Sequence, residues 1–177
     1  MSLRFLSAAL VLVSSVTALA QEITPRQYLK DAEGLYERGY FFRSARYAFA
    51  AADEDGGLQS EAYAWITLSL MRASQENGAA YFFIRTLQEG DNAAIKKVLT
   101  VTDALIRHVG ADLLRKYLIR HTKYEDYTPK NLGAYLYSLG KDALLAGQEE
   151  KAVAYLSGMS RDSSLWRYAL QLRATAY

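Results

Sequence analysis

An all-α chain, folded as an α-solenoid of about four antiparallel helix-turn-helix hairpins, is the architecture these residues point to. Three observations carry it. Pro occurs only twice in 177 residues while Ala, Leu and Tyr abound, a composition that favours helices over a turn-rich β fold. Apolar residues recur at helical spacing, as in Val98, Val101, Leu105 and Val109. The pattern also repeats itself along the chain at an interval near 34 residues. With 51% hydrophobic residues there is enough apolar surface for one domain with its own core.

The first segment, residues 1–20, stands apart from the repeat domain over 21–177. Arg4 supplies a positive start, and Phe5 to Ala20 carries no charge. Ala18 and Ala20 are small, as a signal peptidase requires, and Gln21 and Glu22 follow. The segment reads as a signal peptide cut after Ala20, which sends the mature chain to the periplasm or outside the cell. A retained anchor is the alternative, but the apolar run falls short of the roughly 20 residues a spanning helix needs, so no integral span is expected after cleavage. There is no Cys anywhere, which removes lipid attachment through a thiol and disulfide stapling alike. An exported, cysteine-free helical chain fits a bacterial periplasm.

The elements follow in order. Thr24 caps and Pro25 opens a first unit over 24–57, which turns at Gly39 and closes at Asp55-Gly56-Gly57. A second unit over 60–91 turns at Asn77-Gly78 and closes at Glu89-Gly90-Asp91-Asn92. A divergent hairpin spans 93–130. Its arms carry Val98 to Val109 and then Leu113, Leu114, Tyr117 and Leu118, with Gly110 between them and a loop from Lys123 to Lys130 after them. The next unit, 132–164, turns at Gly147-Gln148. Residues 165–177 form a partial or capping helix with Trp166, Tyr168, Leu170, Leu172 and Tyr177.

The repeat is visible in the spacings. Ala79, Phe83 and Leu70 each fall 34 residues after Ala45, Phe49 and Tyr36. The first unit supplies Leu29, Ala32, Tyr36, Ala45, Phe49 and Ala52. The second supplies Tyr63, Ile66, Leu70, Ala79 and Phe83, with Thr67 and Thr86 where small residues are expected. The third supplies Leu136, Leu139, Gly140, Ala143, Ala152 and Leu156, with Met159 at the last small position. In these residues the chain resembles the tetratricopeptide repeat family, as an exported bacterial member; the family's terminal Pro is absent from all three units. A generic helical bundle or another α-solenoid is the alternative. Small residues at Ala45, Ala79, Gly140 and Ala152 let paired helices approach, while Tyr36, Phe49, Leu70, Phe83 and Leu156 fill the gap to the next hairpin.

The resemblance implies a groove lined by the first helix of each unit. Carried over by register, it assigns to that groove Lys30, Glu37 and Arg38; then Glu61, Ala64, Leu68, Met71 and Arg72; then Ala134, Tyr137, Lys141, Leu144 and Leu145. Such a mixture of apolar anchors and charges suits a peptide or helix of a partner protein.

Chemistry is not expected. Lys and Arg number 21 against 19 acidic residues, a balance that gives no electrostatic case for wrapping nucleic acid or coating an anionic membrane. His108 and His121 are not at a zinc spacing, and both are expected on solvated helix faces. Asp53-Glu54-Asp55 lacks the alternating oxygens of a calcium loop, and the neighbours Glu125 and Asp126 point in different directions. No nucleophile elbow, phosphate loop or dinucleotide fingerprint occurs. Of the 14 Tyr, Tyr36 is expected in the core, while Tyr40, Tyr124, Tyr127 and Tyr137 are open. The expectation is a non-catalytic protein-protein interaction scaffold or adaptor of the cell envelope, with no catalytic residue, metal or cofactor. The alternatives are the solenoid portion of a larger envelope enzyme, or a structural subunit that oligomerises through its C-terminal helix.

Overall fold

A computed structural model describes residues 23–175; the expected signal peptide, its cut after Ala20, and Tyr177 lie outside the described residues. Among them are ten α-helices and no strand. In order they are α1 (Pro25–Glu37), α2 (Phe41–Glu54), α3 (Gln59–Arg72), α4 (Glu76–Glu89) and α5 (Asn92–Leu99). Then follow α6 (Thr102–Val109), α7 (Ala111–His121), α8 (Leu132–Leu145), α9 (Glu149–Ser157) and α10 (Trp166–Ala174). Short 3-10 turns sit at Gly56–Leu58 and Tyr124–Asp126. The chain enters α1 as its sequence predicts, with the Thr24 hydroxyl accepting from the Gln27 N–H at 3.2 Å and Pro25 in the first turn.

Three pairs, α1/α2, α3/α4 and α8/α9, are joined by the same turn. The N–H groups of Tyr40, Gln75 and Gln148 reach back to the carbonyls of Leu35, Leu70 and Ala143 at 2.9, 2.9 and 2.8 Å. The residues just before them, Gly39, Ser74 and Gly147, have positive φ. This Schellman closure needs a left-handed residue, which Gly adopts freely and Ser74, at φ 55°, does not. The second turn is therefore not at Asn77-Gly78, as the residue types suggested. Both lie inside α4, where a Cβ on Gly78 would come within 3.2 Å of Leu70 Cδ1.

The turns also correct the repeat register. Ser74 follows Gly39 by 35 residues, from 39 to 74, so the first unit sits one residue out of step with the spacing of 34. Equivalent positions in the three second helices are Ser44, Ala79 and Ala152, then Ala48, Phe83 and Leu156, and all six are buried. Phe49, expected to fill the gap between hairpins, is 54% exposed. One residue of slip turns a side chain about 100° round a helix, enough to carry it from core to solvent.

Two apolar clusters meet along α3. One joins Leu29, Ala32, Ala48 and Ala51 to Trp65, Ile66 and Leu68. The larger gathers Phe83, Leu87, Val98, Leu99, Leu105, Leu114, Leu118, Leu156 and Leu165. Leu70 and Val101 pack against both. Buried hydroxyls are satisfied within this frame: Ser69 Oγ donates to Ser44 Oγ at 2.8 Å, and Ser44 Oγ donates to the Ala32 carbonyl at 2.7 Å, linking α3, α2 and α1. Thr67 and Thr86 fit at small-residue positions because each hydroxyl donates to the carbonyl four residues back, at 2.8 and 2.9 Å.

The divergent hairpin has a broken first arm. At Thr100 and Val101 the path splits into α5 and α6, where the Thr100 and Thr102 hydroxyls donate to the carbonyls of Lys97 and Leu99. Asp91 caps α5, accepting from the N–H groups of Ala93 and Ala94 at 2.7 and 3.0 Å. Gly110, at φ 85°, turns the chain into α7. α5 lies on α3 and α4, and α7 bridges α4 to α8. α8 and α9 approach so closely that a Cβ on Gly140 would lie 2.6 Å from Leu156 Cγ. α10 packs on both through Ala169 and the half-buried Trp166 and Leu172, with Tyr168 and Leu170 exposed.

Candidate partner-binding surface

Helix α1 lies alongside α3, and between them an open depression of about 170 Å³ is lined by Arg26, Leu29, Lys30, Glu33, Leu58 and Glu61. Arg26, Leu29, Lys30 and Glu33 form one stripe of α1, because residues three and four apart stack on a helix face. Leu29 and Leu58 are buried as its floor, while the four charged residues are exposed. Further along, Arg72 Nε donates to the Tyr36 hydroxyl at 3.3 Å. The Tyr36 ring lies 5.6 Å from Phe41 and 5.5 Å from Trp65, and the Lys97 ammonium sits 4.0 Å above the Trp65 ring. The three rings meet edge-on or tilted, with one cation over the Trp65 face and another on the Tyr36 hydroxyl.

The residues assigned from the repeat register meet different fates. Lys30 and Glu61 share the depression, and Glu37, Arg38 and Arg72 are exposed. Arg38 Nε donates to the Gly34 carbonyl at 2.8 Å, closing the end of its own helix. Met71 and Leu144 are half-buried, and Leu145 is exposed. Leu68 and Tyr137 are core residues instead, 7% and 9% exposed, as are Ala64 and Ala134. Lys141 is committed to an ion-pair cluster across α7 and α8. Its ammonium donates to Asp112 Oδ2 at 2.9 Å, and Arg115 reaches Asp112 at 3.5 Å and also pairs with Asp142. The Lys141 hydrogen bond, with Arg115 in support, holds the Asp112 carboxyl below its ordinary range.

Arg26, Leu29, Glu33 and Leu58 belong to the depression and were missed. Three of these four sit on α1, where the one-residue slip pushed the assignment onto Lys30, Glu37 and Arg38. The matching turns at Gly39 and Gly147 carried the signal for the one-residue offset.

His108 is exposed, its Nδ1 3.9 Å from Glu76 Oε1. His121 is half-buried rather than solvated and stacks on Tyr117, and burial, aided by the Arg120 charge, lowers its pKa. Among the open tyrosines, Tyr40 and Tyr124 are exposed, while Tyr127 is half-buried, stacked on Tyr135 and hydrogen-bonded to Thr122. Beside α8, Asp103 lines a polar depression of about 360 Å³ with Thr100, Arg107, Lys130, Asn131 and Ser164. Ser164 Oγ donates to Asp103 Oδ2 at 3.0 Å, Asp103 Oδ1 is buried without a partner, and burial raises the carboxyl pKa. Among the described residues, no group of three His, Cys, Asp or Glu is gathered as a metal site, and no helix is long and apolar enough to cross a membrane.

Comparison with family models, curated proteins and solved structures finds no match for this chain.

Proposed function

We propose that this chain is a non-catalytic scaffold or adaptor of the bacterial cell envelope, a tetratricopeptide-like solenoid that holds a partner protein along α1 and α3. One observation carries this reading: a depression with an apolar floor and a rim of both charge signs lies between the first helices of two successive pairs closed by the same turn. An apolar floor with charged edges is what an amphipathic segment of a partner requires. The uncharged run from Phe5 to Ala20 supports export and hence an envelope setting.

The test is a cross-linked pull-down from the native envelope, comparing wild type with a Lys30→Glu, Glu61→Lys double variant whose circular dichroism is unchanged. Both side chains are exposed, so the swap leaves the core intact. Loss of a specific protein in the variant is the expected result. An identical set of captured proteins, or none from either version, overturns the assignment of partner binding to this surface.

A further inference from the structure

The polar depression of about 360 Å³ beside α8 is built from three segments. The start of α6 contributes Asp103 and, one turn on, Arg107; the loop before α8 contributes Lys130 and Asn131; the loop before α10 contributes Asp162 and Ser164. Its four charges are two of each sign, and among the described residues none of them is in an ion pair. Asn131 is 7% exposed, yet only one end of its carboxamide is used. Its Oδ1 accepts from the Thr128 N–H and hydroxyl at 2.7 and 2.9 Å, which assigns the other end as the NH2. That NH2 makes no hydrogen bond among the described residues and is not sealed from solvent. A buried amide fixed at one end, with its donors left open at the wall of a cavity, is more than the turn at Thr128 requires. Ala104 is the one apolar side chain on the walls.

We propose that this depression binds a small zwitterion, an ammonium and a carboxylate a few bonds apart, as in a free amino acid or dipeptide with small side chains. Arg107, Lys130 and the Asn131 NH2 take the carboxylate, and Asp162 with Asp103 takes the ammonium. Two charges of each sign around one cavity suit a ligand that also carries both signs. A phosphate or dicarboxylate would face the two Asp as like charges, and a simple amine would face the two cations. Ligand sites span about 300–1,000 Å³, so a cavity at the lower end of that range suits a ligand this small. The site lies on α6 and the loops before α8 and α10, apart from the depression between α1 and α3, so the proposal does not depend on the partner-binding reading.

The test is an NMR titration of the whole protein, labelled with nitrogen-15, with L-alanine and L-alanyl-L-alanine. Each probe is also used with its amine acetylated or its carboxylate amidated. At least one free probe is expected to shift the amides around Lys130 and Asp162 with a Kd of about 1 mM, and blocking either end to weaken it about tenfold. Whichever free probe binds tighter tells a free amino acid from a peptide as the source. Lys130→Ala and Asp162→Ala remove exposed side chains, so the fold is kept, and each is expected to weaken binding about fivefold. No shift at these amides with either free probe up to about 10 mM overturns the proposal. So does a blocked probe that binds as tightly as its parent, which would make the site one for a simple anion or cation, and so does binding that neither variant weakens.

Discussion

Gly140→Ala sets two physical effects against each other at one atom. In a helix interior, Ala is favoured over Gly by about 1 kcal/mol, so α8 alone should gain. But the new Cβ would lie 2.6 Å from Leu156 Cγ and 2.7 Å from its Cδ2, far inside the roughly 3.5–4.0 Å at which carbon atoms rest. Leu156 is 1% exposed and sits within the larger apolar cluster, so its movement must displace other buried side chains. Overpacking of a closed core costs about 1–3 kcal/mol, and contacts this short belong in the upper half of that range. The net loss is about 1–2 kcal/mol, a fall in Tm of about 2–8 °C for a domain of this size. Thermal unfolding by calorimetry reads it directly. Gly34→Ala is the control, since its Cβ would meet only Arg38 Nη2 at 3.8 Å, and it should gain about 0.5–1 kcal/mol. Placed on a Leu156→Ala background, which already costs about 2–5 kcal/mol, Gly140→Ala should become neutral or favourable. A single Gly140→Ala variant as stable as wild type would refute the close approach of α8 and α9.

Two further substitutions probe the turns and the buried carboxyl. Ser74→Gly should stabilise the chain by about 1 kcal/mol by relieving a left-handed non-glycine residue, and Gly39→Ala should cost about the same; matching shifts of opposite sign in urea midpoints check both. Asp103→Asn removes a half-buried charge whose folded-state pKa is raised, so the folded chain holds that proton more tightly than the unfolded one. Stability therefore falls as pH rises from the unfolded to the folded value, and the deficit is complete above the folded value. The variant should be about 1 kcal/mol more stable at neutral pH, an advantage that fades as the pH falls through the raised folded value and is gone by about pH 4, where the unfolded chain is protonated too; an advantage independent of pH in a Tm series would count against it.

Much of the helix order was legible because it rests on short-range physics. Thr24-Pro25 starts α1, Gly39 and Gly147 end α1 and α8, and helical spacing of Val98 to Val109 outlines the divergent arm. The register of the first unit was not legible from residue types. Both Tyr36/Phe49 and Leu35/Ala48 place an apolar pair thirteen residues apart, and aromatic size favoured the pair that the structure leaves half-buried and exposed. The turn at Ser74 was hidden for a related reason: Asn77-Gly78 has stronger turn chemistry, but Gly78 is used for space against Leu70 rather than for its backbone freedom. The break at Thr100–Val101 depends on two threonine hydroxyls competing for helix carbonyls, which no apolar periodicity records. On the surface, Leu68 and Tyr137 were lost to the core because α3 and α8 are packed on more than one side.

Helix α3 is buried without interruption from Ala64 to Ser69, and it contributes Ala64 to one apolar cluster and Trp65, Ile66 and Leu68 to the other. It therefore acts as a shared wall rather than a member of either room. Its amides should be among the slowest in the protein to exchange with deuterium, because their exposure requires both sides to open together. The two sides themselves need not open together: α1 and α2 can detach while α3 remains held by α4 and α5. A cell would then meet a chain that frays from its first pair yet keeps the remainder intact, with α3 exposing the apolar face that Leu29 and Ala48 normally cover.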